Sequence, residues 1–99
     1  MQGWYDARFE REMGCTETEL LRWLPGAVGS HALRVQGQEA RVDIGTGHLV
    51  LRWSVLPPRR IALMQMPRLQ ASFQFDAVEE STRQVFMRHF DLYTQRGGG

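Results

Sequence analysis

Between Leu33 and Phe75 apolar and polar side chains alternate with a period of two, which restricts this stretch to a sheet with one buried and one wet face. Leu33 and Val35 alternate with Arg34 and Gln36. Beyond Gly37, Ala40, Val42 and Ile44 alternate with Arg41 and Asp43, so the two runs predict a hairpin. Gly45-Thr46-Gly47 supplies the next turn. Leu49, Leu51, Trp53 and Val55 then point one way while His48, Arg52 and Ser54 point the other. Leu56-Pro57-Pro58-Arg59-Arg60 is expected to end this third strand, because two prolines remove two ladder donors. Ile61, Leu63, Leu69, Ala71, Phe73 and Phe75 share odd parity, and read either as one long strand bent at Pro67 or as two strands turning at Pro67-Arg68. The bent strand is preferred, since a two-residue turn wants glycine or asparagine where Arg68 stands.

Helical signals flank this region. Trp4, Phe9 and Met13, interleaved with charges and broken at Gly14, predict a first helical piece. Thr16 followed by Glu19 is a capping box, with Leu20, Leu21 and Leu24 as the apolar side of a helix expected to stop at Pro25-Gly26. Asp76, with Glu79 to complete a second box, is the expected N-cap of a last helix. Its apolar stripe is Val78, Val85, Phe86, His89, Phe90 and Tyr93, with Glu79 and Glu80 at its start and Arg88 and Arg96 near its end. The expected fold class is therefore α+β: one or two N-terminal helices, a four- to five-stranded antiparallel meander, and a C-terminal helix packed on one sheet face.

With 99 residues the chain has the length of one domain, 1–99, with Gly97-Gly98-Gly99 as a flexible tail. Hydrophobic residues make up 42% and charged residues 23%, which excludes disordered, collagenous and coiled-coil classes. Twelve basic against eleven acidic residues give no field strong enough to drive non-specific nucleic-acid binding. All the basic residues are arginine, as a GC-rich genome would produce. The single cysteine, Cys15, allows no internal disulfide and fits a reducing compartment; with no signal sequence or apolar span legible, the cytoplasm is the expected location.

His31, His48 and His89 have no second histidine or cysteine at metal-ligand spacing, so neither metal nor cofactor is expected. His89 lies beside the apolar stripe of the last helix, where a structural role is expected. Cys15 precedes a helix N-terminus, which can activate a thiol, though a small boundary residue explains it more simply. Gly45-Thr46-Gly47 joins two strands and so is a turn rather than a phosphate loop. Glu39 and Asp43 are expected to pair across strands with Arg34 and Arg41, and Ser54 and Ser72 lack a nucleophile's context. Parity turns Trp53, Phe73 and Phe75 inward and leaves Arg34, Arg41, Arg52, Arg68, Gln70 and Gln74 outward, a face that can hold phosphate and cannot stack bases. Gly98-Gly99 invites a carrier-tail reading, but ubiquitin-like tails follow a strand and this one follows a predicted helix. His48, Arg52 and Asp43, with Asp43 reaching diagonally toward His48, form the one catalytic grouping a hairpin could assemble. It is too wet to be tuned, and no enzyme activity is expected. A concave pocket holding two or more of His31, His48, His89 and Cys15 would reverse that expectation.

The stretches Leu56-Pro-Pro-Arg-Arg-Ile-Ala-Leu-Met-Gln-Met-Pro-Arg68 and Phe86-Met-Arg-His-Phe-Asp-Leu-Tyr-Thr-Gln-Arg-Gly-Gly-Gly99 are similar to small bacterial proteins to which no activity is assigned. The resemblance implies a bacterial, cytoplasmic setting and transfers no functional residue.

The function expected is a non-enzymatic protein-interaction module that associates with itself, as a homodimer, or with a protein partner. Three Trp, five Met and five Phe supply more large apolar surface than one helix and one sheet face cover. The interface candidates are Trp4, Trp23, Arg59, Arg60, Met64 and Met66. Met64 and Met66 have parity opposite to Ile61 and Leu63, so a regular strand brings them out on the polar face unless a bulge or an N-terminal helix covers them. The alternative is a binder of a small apolar ligand between sheet and C-terminal helix, lined by Trp53, Phe73, Phe86 and Phe90 by analogy with helix-grip domains. Hollowing so small a core would cost about 24 cal/mol per Å³ of void.

Overall fold

The structure, a computed structural model, describes residues 4–95. The expected glycine tail at 97–99 lies outside the described residues. Along the chain run β1 (Arg8–Met13), α1 (Glu17–Ala27), β2 (Leu33–Gln36), β3 (Glu39–Ile44), β4 (Gly47–Ile61), β5 (Met64–Asp76) and α2 (Glu80–Gln95). The strands form one five-stranded sheet in the order β1-β5-β4-β3-β2, every neighbouring pair antiparallel. The fold is α+β as the alternation dictates.

The odd-parity residues of β4 and β5 (Leu49, Leu51, Trp53, Leu69, Ala71, Phe73 and Phe75) are buried with Ala40, Val42 and Ile44 of β3. Leu20, Leu24 and Ala27 of α1 and Phe86, Met87 and Phe90 of α2 close over that face. Phe90 meets Phe73, and Phe86 meets Phe75, both edge-on. The capping box forms as predicted: Thr16 Oγ1 accepts from the Glu19 amide at 3.0 Å and Glu19 Oε1 from the Thr16 amide at 2.9 Å. Among the described residues no helix is long and apolar enough to cross a membrane.

Four local expectations are corrected. Residues 8–13 are a strand, with Phe9, Arg11 and Met13 turned in and Arg8, Glu10 and Glu12 turned out. This β1 pairs with β5, Phe9 opposite Phe73 and Met13 opposite Leu69, a partner some sixty positions away that no local pattern reveals. The helix α1 passes through Pro25 to Ala27. The carbonyl that Pro25 leaves without a helical donor belongs to exposed Leu21, where solvent has access, and Gly29 at φ +66° follows the end. Asp76 ends β5 opposite His48 instead of capping α2, because the ladder claims it first.

The fourth correction concerns the prolines. Pro57 and Pro58 do not end β4, which continues to Ile61 across a bulge between Leu56 and Arg59. The chain turns at Ala62-Leu63, with Ala62 in the left-handed region at φ 54°, and returns as β5, one strand that continues through Pro67. The prolines are tolerated because β4 has by then lost its other neighbour: pairing with β3 ends at Glu39 opposite Arg52. Likewise Pro67 lies beyond Leu69, where β1 ends.

Candidate functional site

Past these points β4 and β5 are paired only with each other, so residues 55–67 form a two-stranded arm outside the body of the sheet. Cross-strand partners share a face, which puts Leu56, Arg59, Ile61, Met64, Met66 and Arg68 together on the arm's outer face. That face continues the open polar side of the sheet. Leu63 at the turn is fully exposed, and Ile61, Met64, Met66 and Val55 are between 45% and 65% exposed. At the arm's root, Glu12 of β1 holds Arg59 at 3.4 Å and Arg68 at 3.1 Å, while Arg68 Nε donates to the Pro57 carbonyl at 2.9 Å. Beneath the root, Trp53 Nε1 donates to Glu17 Oε2 at 2.7 Å; the bond from Gln38 first, and then this one, hold the Glu17 carboxyl below its usual range.

Of the interface residues read from the sequence, the structure gathers Arg59, Arg60, Met64 and Met66 on the arm and leaves two elsewhere. Trp4 is half-exposed beside Tyr5, and Trp23 is partly buried against the core, lining a cleft with Arg11, Cys15 and Thr94. Sequence reading missed Leu63 and Val55 as exposed groups because a strand expected to end at Pro57 assigns them no neighbours to lose. Trp53, Phe73, Phe86 and Phe90, the ligand-pocket set, belong to one buried cluster, with Phe90 at 5.4 Å from Phe73 and 6.3 Å from Phe86 between ring centres.

Two of the four named titratable groups do share a concavity. His31 and His89 line an open groove of about 340 Å³ with Val28, Gly29, Ser30, Thr82, Val85 and Phe86, between the end of α1 and α2. The arrangement matches the stated condition in residue count, yet no carboxylate, arginine or thiol lines it. His89 Nε2 sits 2.9 Å from the Gly26 carbonyl, and the His31 ring lies against Phe86 at 5.6 Å. His89 is thus engaged with a backbone carbonyl, and the two imidazoles are the only ionisable side chains in the groove's lining. Among the described residues no three His, Cys, Asp or Glu side chains are grouped to hold a metal ion.

His48 stands in a row between Asp43 and Asp76, with Nε2 at 3.4 Å from Asp76 Oδ2. Asp43 is directly opposite His48, not diagonal as expected, because the turn is the two residues Gly45-Thr46. On the same open face Arg52 pairs with Glu39 at 2.8 Å and Arg34 with Asp43 at 3.6 Å. With Arg68 on Glu12, three of the outward arginines are already neutralised, which weakens a phosphate-holding reading.

Cys15 is buried, and burial followed by the charge of Glu19 pushes its thiol up to about 11. It is protonated near neutrality, which favours the boundary-residue reading. The rate of iodoacetamide alkylation is expected to keep rising with pH toward 11; a plateau near pH 8.5 would contradict this.

The polar group that sequence reading missed entirely is buried between β1 and α2. Tyr5 hydroxyl donates to Asp91 Oδ2 at 2.5 Å, and Arg11 donates to both oxygens of Asp91 at 2.7 and 3.3 Å. The Arg11 guanidinium lies 5.2 Å from the Phe9 and Phe73 ring centres. The Tyr5 backbone and the Gln84 amide bond reciprocally at 3.0 and 2.7 Å. Burial first, then the bond to Asp91, pushes Tyr5 up to about 12. The folded state thus holds this proton more tightly than the unfolded chain, whose tyrosine titrates near 10. The stabilisation is complete below about pH 10 and is lost as pH rises from about 10 to 12, by roughly 2 kcal/mol. Denaturant titrations across that range should show the fall, and Tyr5→Phe should flatten it.

The chain matches no known family model, curated protein or solved structure. Its function is therefore read from the arm and the grooves alone.

Proposed function

We propose that this chain is a non-enzymatic protein-interaction module that associates with itself through the β4–β5 arm. The observation that carries the reading is the row of exposed Ile61, Leu63, Met64 and Met66 on a ribbon with no neighbour on either edge. A two-stranded ribbon is marginally stable alone, and large apolar groups concentrated on one small projection mark an interaction site. Methionine adapts its shape to a partner, and arginine is enriched at interfaces. The lone buried thiol of Cys15 supports a reducing, cytoplasmic setting, and the resemblance of residues 56–68 and 86–99 to small bacterial proteins supports a bacterial one.

Light scattering across a concentration series tests the reading. The wild-type mass is expected to rise above the 11.4 kDa of one chain, and Leu63→Glu with Met64→Glu is expected to hold it there. A wild type that stays monomeric to millimolar concentration overturns the proposal.

A further inference from the structure

We infer that Met64 and Met66 form a paired oxidation site on the arm, where peroxide converts both thioethers to sulfoxides and thereby releases self-association; this rests on the self-association reading above.

Exposure separates the sulfur groups of the described residues into two sets. Met64 and Met66 are 65% and 45% exposed on the arm's outer face, whereas Met13 and Met87 are 8% and 0% exposed in the core. Cys15, which as a thiolate would compete for peroxide, is 2% exposed, and its thiol, pushed up to about 11, stays protonated near neutrality. An oxidant in solution therefore meets sulfur on the arm first, and attack there leaves the packing beneath α1 and α2 untouched. The two thioethers stand two positions apart on β5, so they share a face and one patch changes character when they react.

The chemistry is complete with a peroxide as the only co-reactant. The methionine sulfur lone pair attacks one peroxide oxygen, the O–O bond breaks as the S–O bond forms, and the displaced oxygen takes its neighbour's proton and leaves as water. Sulfur is oxidised and the peroxide is reduced. A flexible apolar side chain becomes a polar one with an acceptor oxygen. Arg59 is the cross-strand partner of Met66 on the same face, and Glu12 engages it through one nitrogen at 3.4 Å, so guanidinium donors remain for that oxygen. The oxidised arm is hydrated and bonded to its own arginine, and the apolar row that runs from Ile61 through Leu63 loses both its methionines. Methionine sulfoxide reductases return the sulfoxide to the thioether, which makes the change reversible.

The test treats the wild-type protein with hydrogen peroxide at neutral pH, maps the oxidised residues by peptide mass spectrometry and follows association by light scattering. Met64 and Met66 are expected to gain an oxygen atom each about tenfold faster than Met13 and Met87. The oxidised protein is expected to associate about tenfold more weakly, with its denaturant midpoint unchanged. Methionine sulfoxide reductase should restore the association. A variant carrying Met64→Leu and Met66→Leu has no sulfur on the arm, so whatever its own affinity, peroxide should not change it. A peroxide-induced loss in that variant equal to the wild type's overturns the inference. So does oxidation of Met13 and Met87 at the rate of the arm, or an oxidised wild type that associates like the reduced one; in these cases self-association stands. A wild type that is monomeric throughout overturns both statements.

Discussion

Asp91→Ala is expected to destabilise the fold by about 3 kcal/mol or more, a large share of the roughly 5–15 kcal/mol that holds a domain of this kind together. The Asp91 side chain is 4% exposed and accepts three hydrogen bonds, one from Tyr5 and two from Arg11. Removing the carboxylate leaves a guanidinium and a phenol without partners among aromatic rings, and an uncompensated charge there costs more than the pair itself contributes. Arg11 is partly exposed, so water recovers some of the loss and the lower part of the range applies. Since β1 is an edge strand tied to α2 by this cluster and by Gln84, the damage should concentrate on β1. Thermal unfolding should fall by an amount on the order of 15 °C, and amide exchange should accelerate in residues 8–13 before the central strands. Asp91→Asn, which keeps an acceptor for Tyr5, should cost less. Equal losses for the two substitutions would mean that a neutral acceptor for Tyr5 contributes nothing and that the lost charge accounts for the whole effect.

Phe73→Ala is expected to cost about 4 kcal/mol. Phe73 is 1% exposed in the middle of β5, stacked on Phe9 at 4.7 Å, edge-on to Phe90 at 5.4 Å and covered by Arg11. Truncation opens a hole at the point where β1, β5 and α2 meet, and neighbours from three separate elements cannot all move in to fill it. Phe73→Leu should cost less than half as much. By contrast Leu63→Ala, at the fully exposed tip, should leave denaturant stability unchanged within about 0.5 kcal/mol and reduce association. If Phe73→Ala costs under 1 kcal/mol, the core there is not packed as described.

The α+β class, the inward residues Leu49, Leu51, Trp53, Leu69, Ala71, Phe73 and Phe75, and the Thr16 capping box were legible because each depends on neighbours within a few residues, whereas Val55, Ile61 and Leu63 of the same parity are exposed. Alternation of two and a cap three positions from its partner are local chemistry. Met64 and Met66 are exposed as expected, but not by the expected parity: the chain turns at Ala62-Leu63, so Ile61 shares their face instead of opposing it.

Where the sequence misled, a distant partner outweighed the local signal. Residues 8–13 carry charges at a density that suits a surface helix, yet the open edge of β5 offers them a ladder and the aromatic surface of Phe73 offers Phe9 a place to stack. Pro57 and Pro58 read as a strand end on the assumption that a strand has two neighbours, and only the tertiary arrangement shows that β3 has stopped by Arg52. The Tyr5–Arg11–Asp91 cluster joins groups about eighty positions apart, and the groove joins His31 to His89; nothing in spacing or composition couples them. Sequence alone therefore determined which face is wet along β3, along β4 as far as Trp53 and along β5 from Leu69, since the pleat fixes it there. That two strands outrun their sheet to become an arm was decided by the tertiary structure, because whether an edge is free depends on where the other strands end.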